Sequence, residues 1–139
     1  MIEKLNPDLD TINWQQVSDL FDKVGWEERP LDVIAKAFKR STYTFFIFDD
    51  GNNIIAFGRT MDDGHFYALL VDIVVDPDYQ GQGLGTKIVN TLQEQVKEYF
   101  FVTLTSAPGK DEFYERIGWK KQKSAFIWPY SKRQEEDHC

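Results

Sequence analysis

The chain has 139 residues, enough for one domain with a real core, and 42% apolar content with 15% aromatics excludes a disordered chain. A formal charge of −7 argues against nucleic acid, whose phosphates demand a basic surface, and suits a cationic small molecule. The single cysteine, Cys139, excludes an internal disulfide or a cysteine-rich metal site. No apolar run approaches the ~18 residues of a membrane span, and Met1-Ile2-Glu3-Lys4 lacks the apolar core of a leader peptide. These features predict a cytoplasmic protein with no metal, no nucleic-acid partner and no membrane partner.

In chain order, Ile2–Leu5 is a short candidate strand. Asn13 is a helix N-cap with Gln16 in the capping-box position. Trp14, Val17, Leu20, Phe21 and Val24 follow at helical spacing until Gly25 stops them. Pro30 suits the first turn of a second helix with Leu31, Ile34, Ala35 and Phe38 on its apolar face. Tyr43–Phe48, Asn53–Arg59 and Phe66–Val75 are β-rich runs separated by Asp49-Asp50-Gly51-Asn52 and Asp62-Asp63-Gly64, which predicts an antiparallel meander. A glycine-spaced loop then leads to a helix carrying Leu84, Ile88, Leu92, Val96 and Tyr99 on one face. Phe100–Thr105 returns as a strand, so a crossover and a mixed sheet are expected. Asp111–Ile117 is a short helix closed by Gly118, and Ala125–Trp128 is a final strand ended by Pro129. The predicted order is β-α-α-β-β-β-α-β-α-β, an α+β fold whose mixed, mostly antiparallel sheet carries helices on both faces. One domain over residues 1–130 is expected, with residues 131–139 a charged, unstructured tail.

The loop at Val74–Thr86 is the first place to look for function. It runs strand, glycines, helix start, and unpaired N–H groups at the positive end of a helix dipole form a site for phosphate. A Walker A loop fails because Gly85 is followed by Thr86-Lys87-Ile88. The dinucleotide pattern fails because its last glycine would fall on Thr86 or Ile88, and no acidic ribose partner follows. What stands there is Gln80-x-x-Gly83-x-Gly85, which resembles the pyrophosphate signature of the GNAT superfamily of acyl-CoA N-acyltransferases. Val75-Asp76-Pro77-Asp78-Tyr79-Gln80 resembles that family's lead-in, and Phe113-Tyr114-x-x-x-Gly118-Trp119 its Phe-Tyr-x-x-x-Gly-aromatic helix. At the level of pattern, Gly25-Trp26-x-x-Arg29-Pro30, Gly58-Arg59-Thr60-x-Asp62-Asp63, Val71–Pro77 and Phe126-Ile127-Trp128-Pro129 are similar to small bacterial GNAT proteins and the plant serotonin N-acetyltransferases.

The resemblance implies the GNAT fold and transfer of acetyl from acetyl-CoA to a primary amine. It places the acetyl and pantetheine contacts on Ile73, Val74 and Val75, and the pyrophosphate on the amides of Gln80, Gly81, Gln82, Gly83, Leu84, Gly85 and Thr86. It makes Tyr114 the proton donor to the CoA sulfur, against the alternative of a tyrosine packed in the core. The base is open. Asp72 is an acid inside an apolar strand, where a carboxylate is costly unless paired or functional, and an ion pair with Arg59 is the competing role. Asp63, Glu27, Glu28 and His65 stand as further candidates. Substrate contacts are expected from Trp26, Glu27, Glu28, Arg29, Arg59 and Trp128, with Tyr130 beside it. Aromatic walls and carboxylates would suit an arylalkylamine or polyamine, whereas the arginines would admit an amino-acid carboxylate. A protein acceptor and a non-catalytic acyl-CoA sensor are the competing functions. Cys139 sits too near the chain end to act as a nucleophile, so direct attack in a ternary complex is expected. The partner is a small amine, and the resemblance also allows a homodimer.

Overall fold

The computed structural model describes residues 1–139. Its elements are β1 (Ile2–Leu5), α1 (Trp14–Lys23), α2 (Leu31–Lys39), β2 (Thr44–Phe48), β3 (Ile54–Asp62), β4 (Tyr67–Val75), α3 (Leu84–Val96), β5 (Phe101–Leu104), α4 (Asp111–Arg116) and α5 (Lys132–His138). Short 3-10 turns cover Leu9–Thr11 and Pro77–Tyr79. The strands form one sheet in the order β1-β2-β3-β4-β5, antiparallel except for the β4–β5 pair. The mixed sheet and its α3 crossover are as the hydrophobic pattern predicts. No helix is long and apolar enough to cross a membrane.

The chain groups into two compact units, Met1–Leu104 and Thr105–Cys139. In the first, alternation along the strands divides the sheet into two apolar faces. Phe46, Phe48, Phe57 and Val74 join Val17, Leu20 and Phe21 of α1 and Ile34 and Phe38 of α2 in one buried cluster. Phe57 meets Phe21 edge-on at 5.2 Å and Phe38 at 5.8 Å between centroids, and such pairs add about 0.5–1.5 kcal/mol each beyond area burial. The opposite face takes α3, whose Leu84, Ile88, Val89, Leu92 and Val96 are buried.

Two helices end in the same way. In α1, Gly25 takes φ +80°, its N–H donates to Asp22 O, and the Trp26 N–H donates to Phe21 O at 3.0 Å. In α4, Gly118 takes φ +98°, its N–H donates to Glu115 O, and the Trp119 N–H donates to Tyr114 O at 3.0 Å. Both are Schellman motifs, which bring the residue after the glycine back onto the last helical turn. Trp26 accordingly packs on Phe21 at 5.4 Å and Trp119 on Tyr114 at 6.4 Å.

The structure departs from expectation in several places. Ala125–Trp128 forms no strand; Phe126 and Trp128 are 99% and 95% exposed. Aromatic and β-branched content makes a strand available, but only a partner's backbone hydrogen bonds make one, and none reaches this segment. The charged end is not irregular either: Ser131 caps α5, accepting from the Gln134 N–H. Pro30 is the N-cap of α2 rather than its first helical residue. Asn13 caps α1 as predicted, but the Gln16 side chain leaves the helix, donating to Asn53 Oδ1 at 3.1 Å and accepting from the Ile54 N–H at 2.9 Å. Tyr99 lies beyond the end of α3, and its hydroxyl donates to Asp62 at 2.9 Å.

Candidate active site

The register of the sheet opens one edge of β4. The pairing of β4 with β5 runs from Tyr67↔Phe101 to Leu70↔Leu104 and stops there, whereas β4 continues beside β3 as far as Ala56↔Val75. From Val71 to Val75, β4 therefore has a strand neighbour on one side only. Ile73, Val74 and Val75, the residues expected to contact the acetyl and pantetheine groups, lie in this one-sided stretch.

The strand runs directly into the loop. Asp76 accepts from the Asp78 N–H at 2.9 Å, turning the chain through Pro77–Tyr79. Lys23, at the end of α1, pins this turn with Nζ 2.8 Å from Asp76 and 2.9 Å from Asp78, and those two carboxylates hold the lysine above its ordinary pKa. Gly81 and Gly83 follow with φ of +81° and +80°, a conformation that costs other residues about 1–2 kcal/mol. Gly83 is the N-cap of α3 and supplies no side chain to its first turn, so the amides from Leu84 onward keep their donors for a ligand. No atom lies within 4 Å of where a Cβ would stand at Gly81 or Gly83. An uncapped helix start, a positive dipole end and this open space fit a pyrophosphate.

Asp72 is the least ordinary residue of β4. Phe57 pairs with Val74 and Arg59 with Val71, so Gly58 alone faces both Asp72 and Ile73. This is a β-bulge, and Asp72 carries its positive φ of +54°. The side chain is buried at 8% exposure, and both oxygens are engaged: Arg59 Nε donates to Oδ2 at 2.7 Å and Arg29 Nη1 to Oδ1 at 2.9 Å. The ion pair with Arg59, the competing role for this acid, is what the structure contains, and Arg29 joins it. Both carboxylate oxygens are engaged by guanidinium donors, and that geometry favours the ion-pair role for Asp72 over the role of base. Arg59 also donates to Ser41 Oγ at 3.2 Å and stacks on Phe38 at 5.4 Å, while Arg29 lies over Phe21 at 4.6 Å.

The other expected residues fall into two groups. Trp26, expected as a substrate contact, packs on the edge of the core, with the Arg29 guanidinium 5.6 Å above its ring. Glu27, Glu28 and His65 are exposed, and Trp128 stands in solvent. Asp63 accepts from the N–H groups of His65, Phe66 and Tyr67 at 2.8, 2.7 and 3.2 Å. The Phe66 and His65 amides in particular hold its pKa below the usual carboxylate value, which makes it a turn cap and a weak base.

Tyr114 belongs to the second unit. Phe113 meets its ring edge-on at 4.9 Å and Trp119 covers it from the helix end; burial pushes its hydroxyl pKa up. A phenol held protonated in this way is suited to donate a proton. The sequence pattern contained this device without naming it, since Tyr114-x-x-x-Gly118-Trp119 spells the Schellman contact. Lys23 and Arg29 as partners of Asp76 and Asp72 had no local signal.

Comparison with known proteins identifies the family and the fold. The family description "Acetyltransferase (GNAT) domain" matches residues 11–128. The uncharacterized N-acetyltransferase ycf52 of Pyropia yezoensis is 32% identical over 127 residues, covering 85% of this chain and 73% of its own length. The protein named histone acetyltransferase TAP1 of Glycine max is 32% identical, with 86% of this chain but only 62% of the relative covered. Among solved structures, a protein from meticillin-resistant Staphylococcus aureus described as a probable acetyltransferase superposes with a TM-score of 0.79 at 23% identity, covering 94% and 99% of the two chains. The fold, the glycine loop at the start of α3 and these matches make the chain a member of the GNAT family of acetyl-CoA-dependent acetyltransferases.

Proposed function

We propose that this acetyltransferase acts on the primary amine of a small molecule, an arylalkylamine or polyamine, by direct attack on acetyl-CoA in a ternary complex. The observation that carries the choice of acceptor is the state of the two arginines. Arg29 and Arg59 are the cations that would have received an amino-acid carboxylate, and each is already ion-paired with the Asp72 carboxylate, which offsets their charge. Exposed Glu27 and Glu28 beside Trp26 leave the α1–α2 connection acidic, which favours a cationic acceptor without a carboxylate.

The chemistry follows from what each group can do. The glycine loop and the first amides of α3 would bind the pyrophosphate, and the free edge of β4 would receive the pantetheine arm and the acetyl carbonyl. An alkylammonium with a pKa near ~10.4 must lose its proton before it can attack. With Asp72 and Asp63 committed elsewhere, Glu27, Glu28 and His65 are the groups left to accept it, directly or through water. The amine nitrogen bonds to the carbonyl carbon, the C–S bond breaks, and the Tyr114 hydroxyl protonates the departing sulfur. Donors aimed at the carbonyl oxygen lower the barrier as charge develops there.

A protein acceptor is the second reading, favoured by the name of the Glycine max relative. The deciding experiment measures CoA release with arylalkylamines, polyamines, amino acids and lysine peptides. Preference for the first two classes supports the proposal, preference for peptides supports the second reading, and acetyl-CoA binding without any turnover identifies an acyl-CoA sensor.

A further inference from the structure

The bulge in β4 raises a physical question: what keeps a non-glycine residue in the left-handed region inside a strand? A residue such as Asp72 at φ +54° costs about 1–3 kcal/mol and persists only where its surroundings over-determine it. Here the surroundings are two guanidinium groups from different elements. Arg59 comes from β3, next to the Gly58 that faces the bulge, with a side chain only 12% exposed. Arg29 comes from the connection between α1 and α2, 43 residues away in sequence. Each is in turn fixed by an aromatic face, Arg59 by Phe38 and Arg29 by Phe21 and Trp26.

We infer that the Arg29–Asp72–Arg59 cluster is a positioning device: it locks the β4 bulge and couples the α1–α2 connection to the strand edge that receives the acetyl group. This rests on the reading of β4 as the acetyl-binding strand. The bulge inserts one extra residue between Val71 and Val74, so it sets the direction of the Ile73 and Val74 backbone groups. A carboxylate that only balanced a buried arginine would need one partner. The second partner comes from the segment carrying Trp26, Glu27 and Glu28, so the acceptor side and the donor side share a single ionic joint. Arg29, Asp72 and Arg59 are thereby positioning residues that touch neither reacting atom.

Arg29 gives the cleanest test because its side chain is 40% exposed and its loss leaves Asp72 paired with Arg59. Arg29→Ala should bind acetyl-CoA with wild-type affinity by calorimetry, lower kcat about tenfold and raise the acceptor KM, because misplaced reactants lose rate steeply. Arg29→Lys, which restores one ionic contact, should recover part of the kcat. Asp72→Asn, which tolerates positive φ but loses the charge, should lower kcat while leaving the acidic limb of the pH–rate profile in place. Unchanged kcat and acceptor KM in Arg29→Ala would overturn the inference, as would disappearance of the acidic limb in Asp72→Asn, which would make Asp72 the base. Failure of the wild-type protein to bind acetyl-CoA would instead overturn the reading of the strand itself.

Discussion

Replacing Gly58 by alanine tests how tightly α3, and with it the phosphate loop, is held against the sheet. A Cβ at Gly58 would stand 2.6 Å from Ile88 Cγ2, 2.9 Å from Ile73 Cδ1 and 3.1 Å from Leu92 Cδ1. Carbon atoms in contact prefer ~3.5–4.0 Å, so the shortest of these must open by about 1 Å. The tips of Ile73 and Leu92 can rotate away. Ile88 Cγ2 cannot, because a β-branched residue in a helix is nearly confined to one χ1 rotamer. The helix itself must move. Overpacking of this kind costs about 1–3 kcal/mol, offset by the ~0.5–1 kcal/mol that alanine gains over glycine within a strand. At mid-range the net loss is about 1 kcal/mol, or a fall in Tm of about 3–5 °C for a chain of this size. Urea and thermal unfolding at fixed pH measure it. The Ile88→Leu background removes the offending Cγ2 at nearly constant volume, so Gly58→Ala should cost less there. An unchanged or raised midpoint in the single variant, or an equal loss in both backgrounds, would refute the packing argument.

Three further outcomes are expected. Gly83→Asp places a side chain at φ +80° and a negative charge at the positive end of α3, so acetyl-CoA binding measured by calorimetry should be lost; retained affinity would mean that the ligand lies elsewhere. Tyr114→Phe should keep acetyl-CoA affinity and lower kcat by tenfold or more, within the ~10²–10⁴ ceiling of an acid catalyst, and it should remove any alkaline limb lying above the ordinary tyrosine pKa. Asp63 has a folded pKa below its unfolded value, so its contribution to stability is complete above about 4 and disappears as pH falls through the depressed pKa. Asp63→Asn should therefore flatten the acid side of the Tm–pH curve with little change in kcat at pH 7, and a large loss of kcat would return Asp63 to the list of bases.

The parts legible from sequence are those whose cause is local. Gly25 and Gly118 stop their helices because each needs positive φ within one turn, and the residue after each is carried back onto the helix by the same geometry. The loop from Gln80 to Thr86 could be read as an anion site because its glycine spacing, preceding strand and following helix are contiguous, and its resemblance to the GNAT signature points to pyrophosphate. Tyr114 is singled out by the resemblance of Phe113-Tyr114-x-x-x-Gly118-Trp119 to the family's helix, a pattern that is likewise contiguous in the chain.

What the sequence left open was decided by partners distant along the chain. Asp72 reads from sequence as a base or an ion pair, and the fold places Arg29 and Arg59 on its two oxygens. Ala125–Trp128 has the composition of a strand and lacks the neighbour that would make it one. Lys23 finds Asp76 and Tyr99 finds Asp62 only after the sheet has formed. Backbone conformation answers to a few adjacent residues, so the glycine spacing marks a phosphate-type loop, and the resemblance to GNAT proteins supplies its expected ligand. The direction and partners of a buried side chain answer to whatever the fold brings within about 3 Å, a hydrogen-bond distance, which no spacing along the chain reveals.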